Sequence, residues 1–272
     1  MSETCVKPEH LPIGIRGIPD AGDDAQLLRY SRHILLSELG PDAQDRFASA
    51  HALVIGMGGL GAPAAQFLVA AGVGTITICD ADSVDLTNLQ RQILYATGDI
   101  GAPKVEAAAR RLNAVNPEVR IERIAARVGA AELAPLVAAA DVVLDCCDNF
   151  ATRHAVNAAC VRADTPLVSG AAIRFDGQIS VFDPRDARSP CYHCLFGEGD
   201  ELEETRCATM GVFAPLVGIV GATQAAEALK LIAGVGTSLA GRLLLLDALA
   251  MQWRELAVPR DPACPVCSGR PS

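Results

Sequence analysis

A glycine-rich turn near the start of the chain lies between an apolar segment and an alanine-rich segment. Residues 52–55 are predicted to form a buried strand and residues 62–71 a helix. The turn carries the glycines Gly56, Gly58, Gly59 and Gly61. Glycines there permit a tight turn, a close approach of backbone to phosphate, and close packing of helix on strand. Because the start of a helix also favours anions, this unit is predicted to bind a nucleotide.

A second predicted strand, residues 75–79, ends at Asp80. An acid about 20 residues beyond a glycine turn suits the hydroxyls of a ribose. These features alone fit a nicotinamide or flavin site as well as any other nucleotide, because the fingerprint serves many ligands. Four polar residues follow, namely Asn88, Arg91, Gln92 and Lys104. Each alone fits a surface cation or a turn-capping amide. Together they indicate a phosphate clamp, which favours a triphosphate that is cleaved.

Strands and helices alternate along the next part of the chain. Strands are predicted at residues 119–123, 141–145 and 166–169, and helices at residues 105–115 (Pro103 in the first turn), 131–139 and 152–162. This alternation predicts a parallel sheet with right-handed crossovers. Asp148 follows one of the strands, so we expect it at the same sheet edge as the glycine turn, as a Mg²⁺ ligand. The alternative is a helix N-cap, for which Asn149 competes.

The second half of the chain predicts a mixed sheet. Residues 171–175 and 178–182 flank Asp176-Gly177, which is a typical hairpin turn. A long apolar helix is predicted at residues 211–232, in the core or at a subunit interface, and strands at 241–246 and 252–256. The predicted fold class is therefore Rossmann-like α/β, mostly parallel and then mixed. A single domain is expected over residues 25–272, after a flexible tail at residues 1–24.

Cysteine spacing indicates a metal site. Four of the ten cysteines form two CxxC pairs, Cys191 with Cys194 and Cys264 with Cys267. Such pairs suit a closed, structural Zn²⁺ site that ties the C-terminal segment to the body of the fold, rather than redox dithiols or free thiols. His193, inside the first pair, would be a substitute ligand, but four sulfurs already fill the coordination shell. The remaining cysteines are expected in the tail (Cys5), as small buried hydrophobes (Cys79, Cys146, Cys147, Cys160), or in a polar loop (Cys207).

Cys207 lies beside Arg206, and a neighbouring cation favours the thiolate. It is interpreted equally well as a nucleophile or sulfur-relay thiol and as an incidental loop residue. The net charge of −9 argues against binding to nucleic acid or to an anionic membrane. Every apolar run is interrupted before about 18 residues, so a membrane-spanning helix is not expected. The first residues do not fit a secretory signal, so a cytoplasmic location is expected.

Several motifs together resemble one family, ThiF/MoeB/HesA, the bacterial relatives of ubiquitin-activating enzymes. They are residues 29–33, the glycine turn, residues 80–92, residues 101–104, residues 145–149 and the two CxxC pairs. The resemblance extends from about residue 27 to residue 267. Residues 168–178 most resemble its molybdopterin-synthase adenylyltransferase branch.

This resemblance implies an ATP-dependent adenylyltransferase. It would activate the C-terminal Gly-Gly carboxylate of a ubiquitin-like sulfur-carrier protein for molybdenum cofactor or thiamine biosynthesis. The implied roles are ribose binding by Asp80 and Asn88, phosphate neutralisation by Arg91 and Lys104, Mg²⁺ binding by Asp148, and a contribution from Arg32 across a homodimer. A desulfurase or rhodanese would supply sulfur. The alternative adds a covalent carrier or persulfide relay through Cys207.

Two other classes of protein fit the sequence less well. A zinc-dependent nicotinamide oxidoreductase needs an open metal position, which four sulfurs do not leave. A non-catalytic scaffold does not need the set of cations and Asp148. No catalytic histidine is expected, because a carboxylate nucleophile is already ionised near neutral pH. His33 and His154 are therefore interpreted as surface or helix residues, and Arg29 and Tyr30 as helix packing or capping.

Overall fold

The computed structural model of the protein describes residues 21–197 and 210–270. Its helices are α1 (Ala21–Ile34), α2 (Gly40–Ser49), α3 (Gly61–Ala71), α4 (Lys104–Val115), α5 (Ala130–Ala138), α6 (Phe150–Ala163), α7 (Tyr192–Leu195) and α8 (Ala214–Ala233). Its strands are β1 (His51–Ile55), β2 (Thr75–Cys79), β3 (Arg120–Ile124), β4 (Val142–Asp145), β5 (Leu167–Ile173), β6 (Asp176–Phe182), β7 (Arg242–Asp247) and β8 (Gln252–Ala257). Helix α1 thus begins four residues inside the segment predicted as a tail.

The eight strands form one sheet in the order β3-β2-β1-β4-β5-β6-β7-β8. Strands β1 to β5 pair in parallel, and β6, β7 and β8 continue the sheet in antiparallel pairs. The predicted mixed Rossmann-like fold is confirmed. Register aligns Ile55 with Cys79 on one side and with Asp145 on the other. The residues that follow these three strands therefore meet at one edge, where the strand order reverses and such sheets bind ligands.

Side chains of the central strands alternate between two apolar layers, as the two-residue period of a strand requires. Ala52 and Val54 pack on one face with α3, α4 and α8. Leu53 and Ile55 pack on the other face with α5 and α6. Both faces of β1 and β4 are thus covered, which explains why these two strands are nearly continuous apolar runs.

Helix α8 is the long apolar helix of the second half. Pro215 lies in its first turn, and Gly234 ends it in the left-handed conformation with φ +67°. Among the described residues, α8 is the one helix that is long and apolar enough to cross a membrane. Half of its apolar stretch is buried inside the protein. Gly221 lets the helix approach α3, because a Cβ there would lie 2.3 Å from the Leu60 carbonyl oxygen.

The predicted hairpin forms, but its turn is not at Asp176-Gly177. Residues predicted as two strands merge into β5, and the chain turns at Arg174 and Phe175, with Ile173 opposite Asp176. Gly177 lies within β6, where a Cβ would come within 2.9 Å of the side chains of Leu216 and Val220 in α8. Gly177 therefore allows α8 to pack closely on the sheet. In the turn itself, Arg174 adopts the left-handed conformation with φ +51°.

Candidate nucleotide and metal sites

The glycine turn is packed tightly against the loop that follows β4. Gly56 has φ +92°, and a Cβ there would lie 2.7 Å from the Cys146 carbonyl oxygen. A Cβ on Gly61 would lie 1.8 Å from the Gly56 carbonyl oxygen. A Cβ on Gly59 would press on Val217, whereas one on Gly58 would meet only the end of Gln92 at 3.6 Å. Gly56 and Gly61 are thus required by backbone contacts, Gly59 is tightly packed against a side chain, and Gly58 leaves room beside the turn.

Substitutions at Gly61 and Gly58 should distinguish a glycine that the packing requires from a glycine that leaves room for a nucleotide. We expect Gly61→Ala to lower the free energy of unfolding by about 3 kcal/mol or more, because the backbone contact cannot be relieved by a rotamer change. Gly58→Ala should leave that free energy within about 0.5 kcal/mol of wild type but weaken ATP binding, since the new methyl group occupies the phosphate approach. Denaturant unfolding and nucleotide titration measure the two effects. Equal destabilisation by both variants would contradict this assignment.

Asp80 lies at the end of β2 and is held by the glycine turn. Its Oδ2 accepts a hydrogen bond from the Met57 N–H at 2.7 Å, and its Oδ1 accepts one from the Asp82 N–H at 2.8 Å. The Tyr95 hydroxyl donates to the Met57 carbonyl at 2.7 Å, and burial raises the pKa of this phenol. The carboxylate is therefore fixed beside the turn, and each oxygen keeps a second lone pair for a ligand hydroxyl.

The two predicted phosphate cations lie on the segment that follows Asp80. Lys104 is buried at the start of α4, after Pro103, which occupies the N-cap position rather than the first turn. Its Nζ lies 2.8 Å from Asp82 Oδ2, an ion pair that the sequence patterns did not identify. Arg91 donates to Asn88 Oδ1 at 2.8 Å. The cations are thus oriented by side chains of their own loop.

Gln92 is buried with its side chain beside Gly58, and its Oε1 atom has no hydrogen-bond partner within the described ranges. A buried acceptor without a partner is uncommon in native proteins. Gln92 therefore places an unpartnered acceptor beside the turn, and its role in nucleotide binding stays a prediction.

Asp148 is exposed on the loop between β4 and α6. Asn149 is the N-cap of α6, since its Oδ1 accepts from the Thr152 N–H at 2.9 Å, so the competing cap assignment holds. Asp148 makes no hydrogen bond or ion pair with any residue of 21–197 or 210–270. Its carboxylate is available beside the glycine turn, and such oxygen ligands suit Mg²⁺.

Behind this loop lies a buried ion pair that the sequence patterns did not reveal. Arg153 Nη1 lies 3.1 Å from Asp145 Oδ2, and both side chains are almost fully buried. The Ser169 hydroxyl donates to the same carboxylate oxygen at 2.8 Å. A charged residue inside the predicted helix 152–162 was the only signal, and it did not specify burial. The pair joins the ends of β4 and β5 to α6.

Arg32 is not among the residues gathered around the glycine turn. It is exposed in the last turn of α1. Arg29 of the same helix donates to the Val115 carbonyl, and the Tyr30 hydroxyl accepts from Asn116. Both contacts lie at the C-terminal end of α4. This end of the helix is at the edge of the sheet opposite the glycine turn. The predicted packing role of Arg29 and Tyr30 is therefore observed.

The two CxxC pairs meet in one cluster. The four sulfurs lie within 4.8 Å of one another, with 3.9 Å for Cys191–Cys194, 3.6 Å for Cys191–Cys264 and 3.5 Å for Cys194–Cys267. A zinc–sulfur bond of about 2.3 Å implies about 3.8 Å between sulfurs at the corners of a tetrahedron. The donor set therefore fits a closed Zn²⁺ site. His193 instead places its ring 5.4 Å from that of His154.

Within residues 21–197 and 210–270, the cysteines outside this cluster have thiol pKa values that burial raises, which disfavours the reactive thiolate. Burial raises the pKa of the Cys79 thiol to about 12 and raises those of Cys146 and Cys160 further. These three are the small buried hydrophobes that the sequence predicted. Cys147 is only partly buried, and its thiol donates to Asp145 Oδ1 at 2.7 Å, so it has a polar role. Cys5 and Cys207 lie outside the described residues.

The fold and the site are typical of nucleotide-binding α/β proteins, with a doubly wound sheet and a glycine turn at the point where its strand order reverses. The sequence model of the ThiF family matches residues 30–266. The chain belongs to the ThiF family, and the predicted resemblance is confirmed.

Similar proteins extend this family assignment. A sulfur carrier protein ThiS adenylyltransferase of Escherichia coli (strain K12) is 46% identical over 247 residues, covering 91% of this chain and 97% of the relative. The molybdopterin-synthase adenylyltransferase of the same organism is also 46% identical, covering 90% and 97%. The crystal structure of E. coli MccB with ATP has a TM-score of 0.78 and 27% identity, and covers 88% of this chain and 73% of MccB. The predicted nucleotidyltransferase class is confirmed by these relatives.

Proposed function

We propose that the protein is an ATP-dependent adenylyltransferase that activates the C-terminal Gly-Gly carboxylate of a ubiquitin-like sulfur-carrier protein. The observation that carries the proposal is the convergence of the glycine turn, Asp80, Lys104 and the free Asp148 at one sheet edge. A hydride-transfer site has little use for two cations and an unpaired carboxylate beside its pyrophosphate. The names of the two relatives at 46% identity support the same class of substrate.

The reaction follows from charge. The carrier carboxylate attacks the α-phosphorus of ATP, the α–β oxygen bridge breaks, and pyrophosphate leaves with the bond electrons. The product is an acyl-adenylate that sulfur can attack. Arg91 and Lys104 would cancel phosphate charge as it moves to the leaving group. Asp80 and Asn88 would hold the ribose region, and Gly56 to Gly61 would pass beneath the phosphates.

Two metal ions complete the proposed enzyme. Asp148 would hold Mg²⁺, which shields the phosphate oxygens when bound. Cys191, Cys194, Cys264 and Cys267 would hold a structural Zn²⁺. Since four sulfurs fill its coordination shell, this zinc has no position left for a substrate.

A homodimer is proposed because Arg32 lies at the sheet edge far from the glycine turn of its own chain. If this guanidinium contacts the triphosphate, as the family resemblance implies, it must come from the other subunit. The carrier, the sulfur donor (a desulfurase or rhodanese) and a cytoplasmic location belong to the same proposal. A relay through Cys207 stays a prediction.

Carrier-dependent exchange of labelled pyrophosphate into ATP tests the function. The purified protein is incubated in turn with each Gly-Gly carrier protein of the same organism. These include the carriers that serve molybdenum cofactor and thiamine biosynthesis. We expect exchange with at least one carrier, and no exchange with that carrier when its last glycine is deleted, because the nucleophile is then displaced. Two relatives of equal identity serve different carriers, so the carrier that supports exchange also assigns the pathway. Absence of exchange with every carrier would refute adenylation.

A further inference from the structure

The guanidinium of Arg153 joins four parts of the chain behind the Asp148 loop. Nη1 contacts Asp145 Oδ2 at 3.1 Å and Ser169 Oγ at 3.3 Å. Nη2 donates to the carbonyl oxygens of Cys147, at 2.5 Å, and Gly170, at 3.1 Å. The Arg153 side chain is only 8% exposed. All of these acceptors belong to the protein, so both terminal nitrogens of this cation are used in internal contacts.

These contacts fix the backbone on the N-terminal side of Asp148. The Cys147 N–H donates to Asp145 Oδ1 at 3.2 Å, and the Cys147 carbonyl accepts from Arg153. On the other side, Asn149 caps α6. Asp148 thus lies between two residues whose positions are set by hydrogen bonds, although its own side chain is exposed. The loop has little freedom while the Arg153 contacts persist.

We propose that Arg153 is a positioning residue that holds the Asp148 carboxylate in place for Mg²⁺ at the nucleotide site. The inference rests on the proposed function only in assigning Mg²⁺ to Asp148. It assigns Arg153, with Asp145 and Ser169, to orienting this ligand through the Cys147 peptide. Outer contacts of this kind typically change metal affinity by about 10- to 100-fold when they are lost.

Lysine cannot replace arginine in this role. The planar guanidinium presents donors in a fixed fork, and here the fork reaches a carboxylate, a hydroxyl and two carbonyls at once. An ammonium group at Arg153→Lys retains the charge opposite Asp145 but cannot span the Cys147 and Gly170 carbonyls together. The variant therefore removes the positioning contact without leaving the buried Asp145 carboxylate unpaired, which would itself unfold the site.

The test measures the binding of a non-hydrolysable ATP analogue in Mg²⁺ and in EDTA. The ratio of the dissociation constant in EDTA to the dissociation constant in Mg²⁺ isolates the metal-dependent part of nucleotide affinity. This measurement requires no carrier. We expect Arg153→Lys to reduce this ratio by about 10-fold or more, with the dissociation constant in EDTA unchanged. The matched control is Arg162→Lys, an exposed arginine in the last turn of the same helix, which should leave the ratio at its wild-type value.

A role in stability alone would leave the ratio unchanged or shift both dissociation constants equally, and either outcome overturns the proposal. A wild-type ratio near one also overturns it. If Arg153→Lys fails to fold, Ser169→Ala removes one contact to the same guanidinium and keeps both charges. It should lower the ratio by about threefold, and no change would count against positioning. Failure of pyrophosphate exchange with every carrier, by contrast, refutes adenylation and leaves this measurement intact.

Discussion

Replacing Asp148 with alanine should reduce carrier-dependent pyrophosphate exchange by about two orders of magnitude or more and leave the melting temperature unchanged. The large effect is expected because a metal bound to this carboxylate would offset phosphate charge in the transition state, a contribution of several kcal/mol. Stability should not change because Asp148 is exposed and the N-cap of α6 is supplied by Asn149. Exchange assays and thermal unfolding of the same preparations give both quantities.

Asp45→Ala is the matched control, since Asp45 is exposed on α2, at the sheet edge opposite the glycine turn. It should retain exchange.

Mixing Asp148→Ala with Arg32→Ala tests the subunit arrangement. If Arg32 acts across the dimer, mixed dimers contain one intact site, and a random mixture recovers about a quarter of wild-type activity. If Arg32 acts within its own chain, the mixture recovers nothing. Wild-type exchange by Asp148→Ala alone would disprove its metal role.

The strand–turn–helix unit was predictable because its signals are local. Strand β2 was predicted with its observed bounds, and β1 and α3 to within one residue. Asp80, at the end of β2, reaches the glycine turn because parallel strands bring their ends together. The cysteine cluster was predictable for a different reason. The spacing within each pair is local, and two such pairs suit the four-sulfur shell of one Zn²⁺, whatever their separation along the chain.

The contacts that orient these residues were not predictable, because they depend on tertiary packing. Nothing in the spacing of Asp82 and Lys104 required an ion pair, and Arg153 is equally plausible on the outer face of a helix. The hairpin turn shows the same limit. Asp-Gly is a strong local turn signal, but Asp176 and Gly177 lie in β6, with Gly177 packed under α8, and the chain turns at Arg174 and Phe175. Tertiary packing overrides local propensity at such positions.

The second large effect is expected from loss of the cysteine cluster. Cys264→Ser should abolish zinc retention and lower the melting temperature by about 10 °C or more, because the proposed metal would connect the C-terminal segment to Cys191 and Cys194 around α7. Without the metal, the connection rests mainly on Arg260, which donates to the Ala187 carbonyl, and on Arg270, which donates to the Ser189 carbonyl. Metal analysis and calorimetry measure the two changes.

The destabilisation should also be local. Hydrogen exchange should increase at residues 187–196 and 258–270 while the parallel strands keep their protection, because those strands have their own apolar layers on both faces. Cys160→Ala is the control for the loss of a buried cysteine. It lies outside the cluster and should retain zinc, with only a packing cost. A metal-free wild-type protein that melts at the temperature of the zinc-loaded form would show that the four thiols support the fold without zinc.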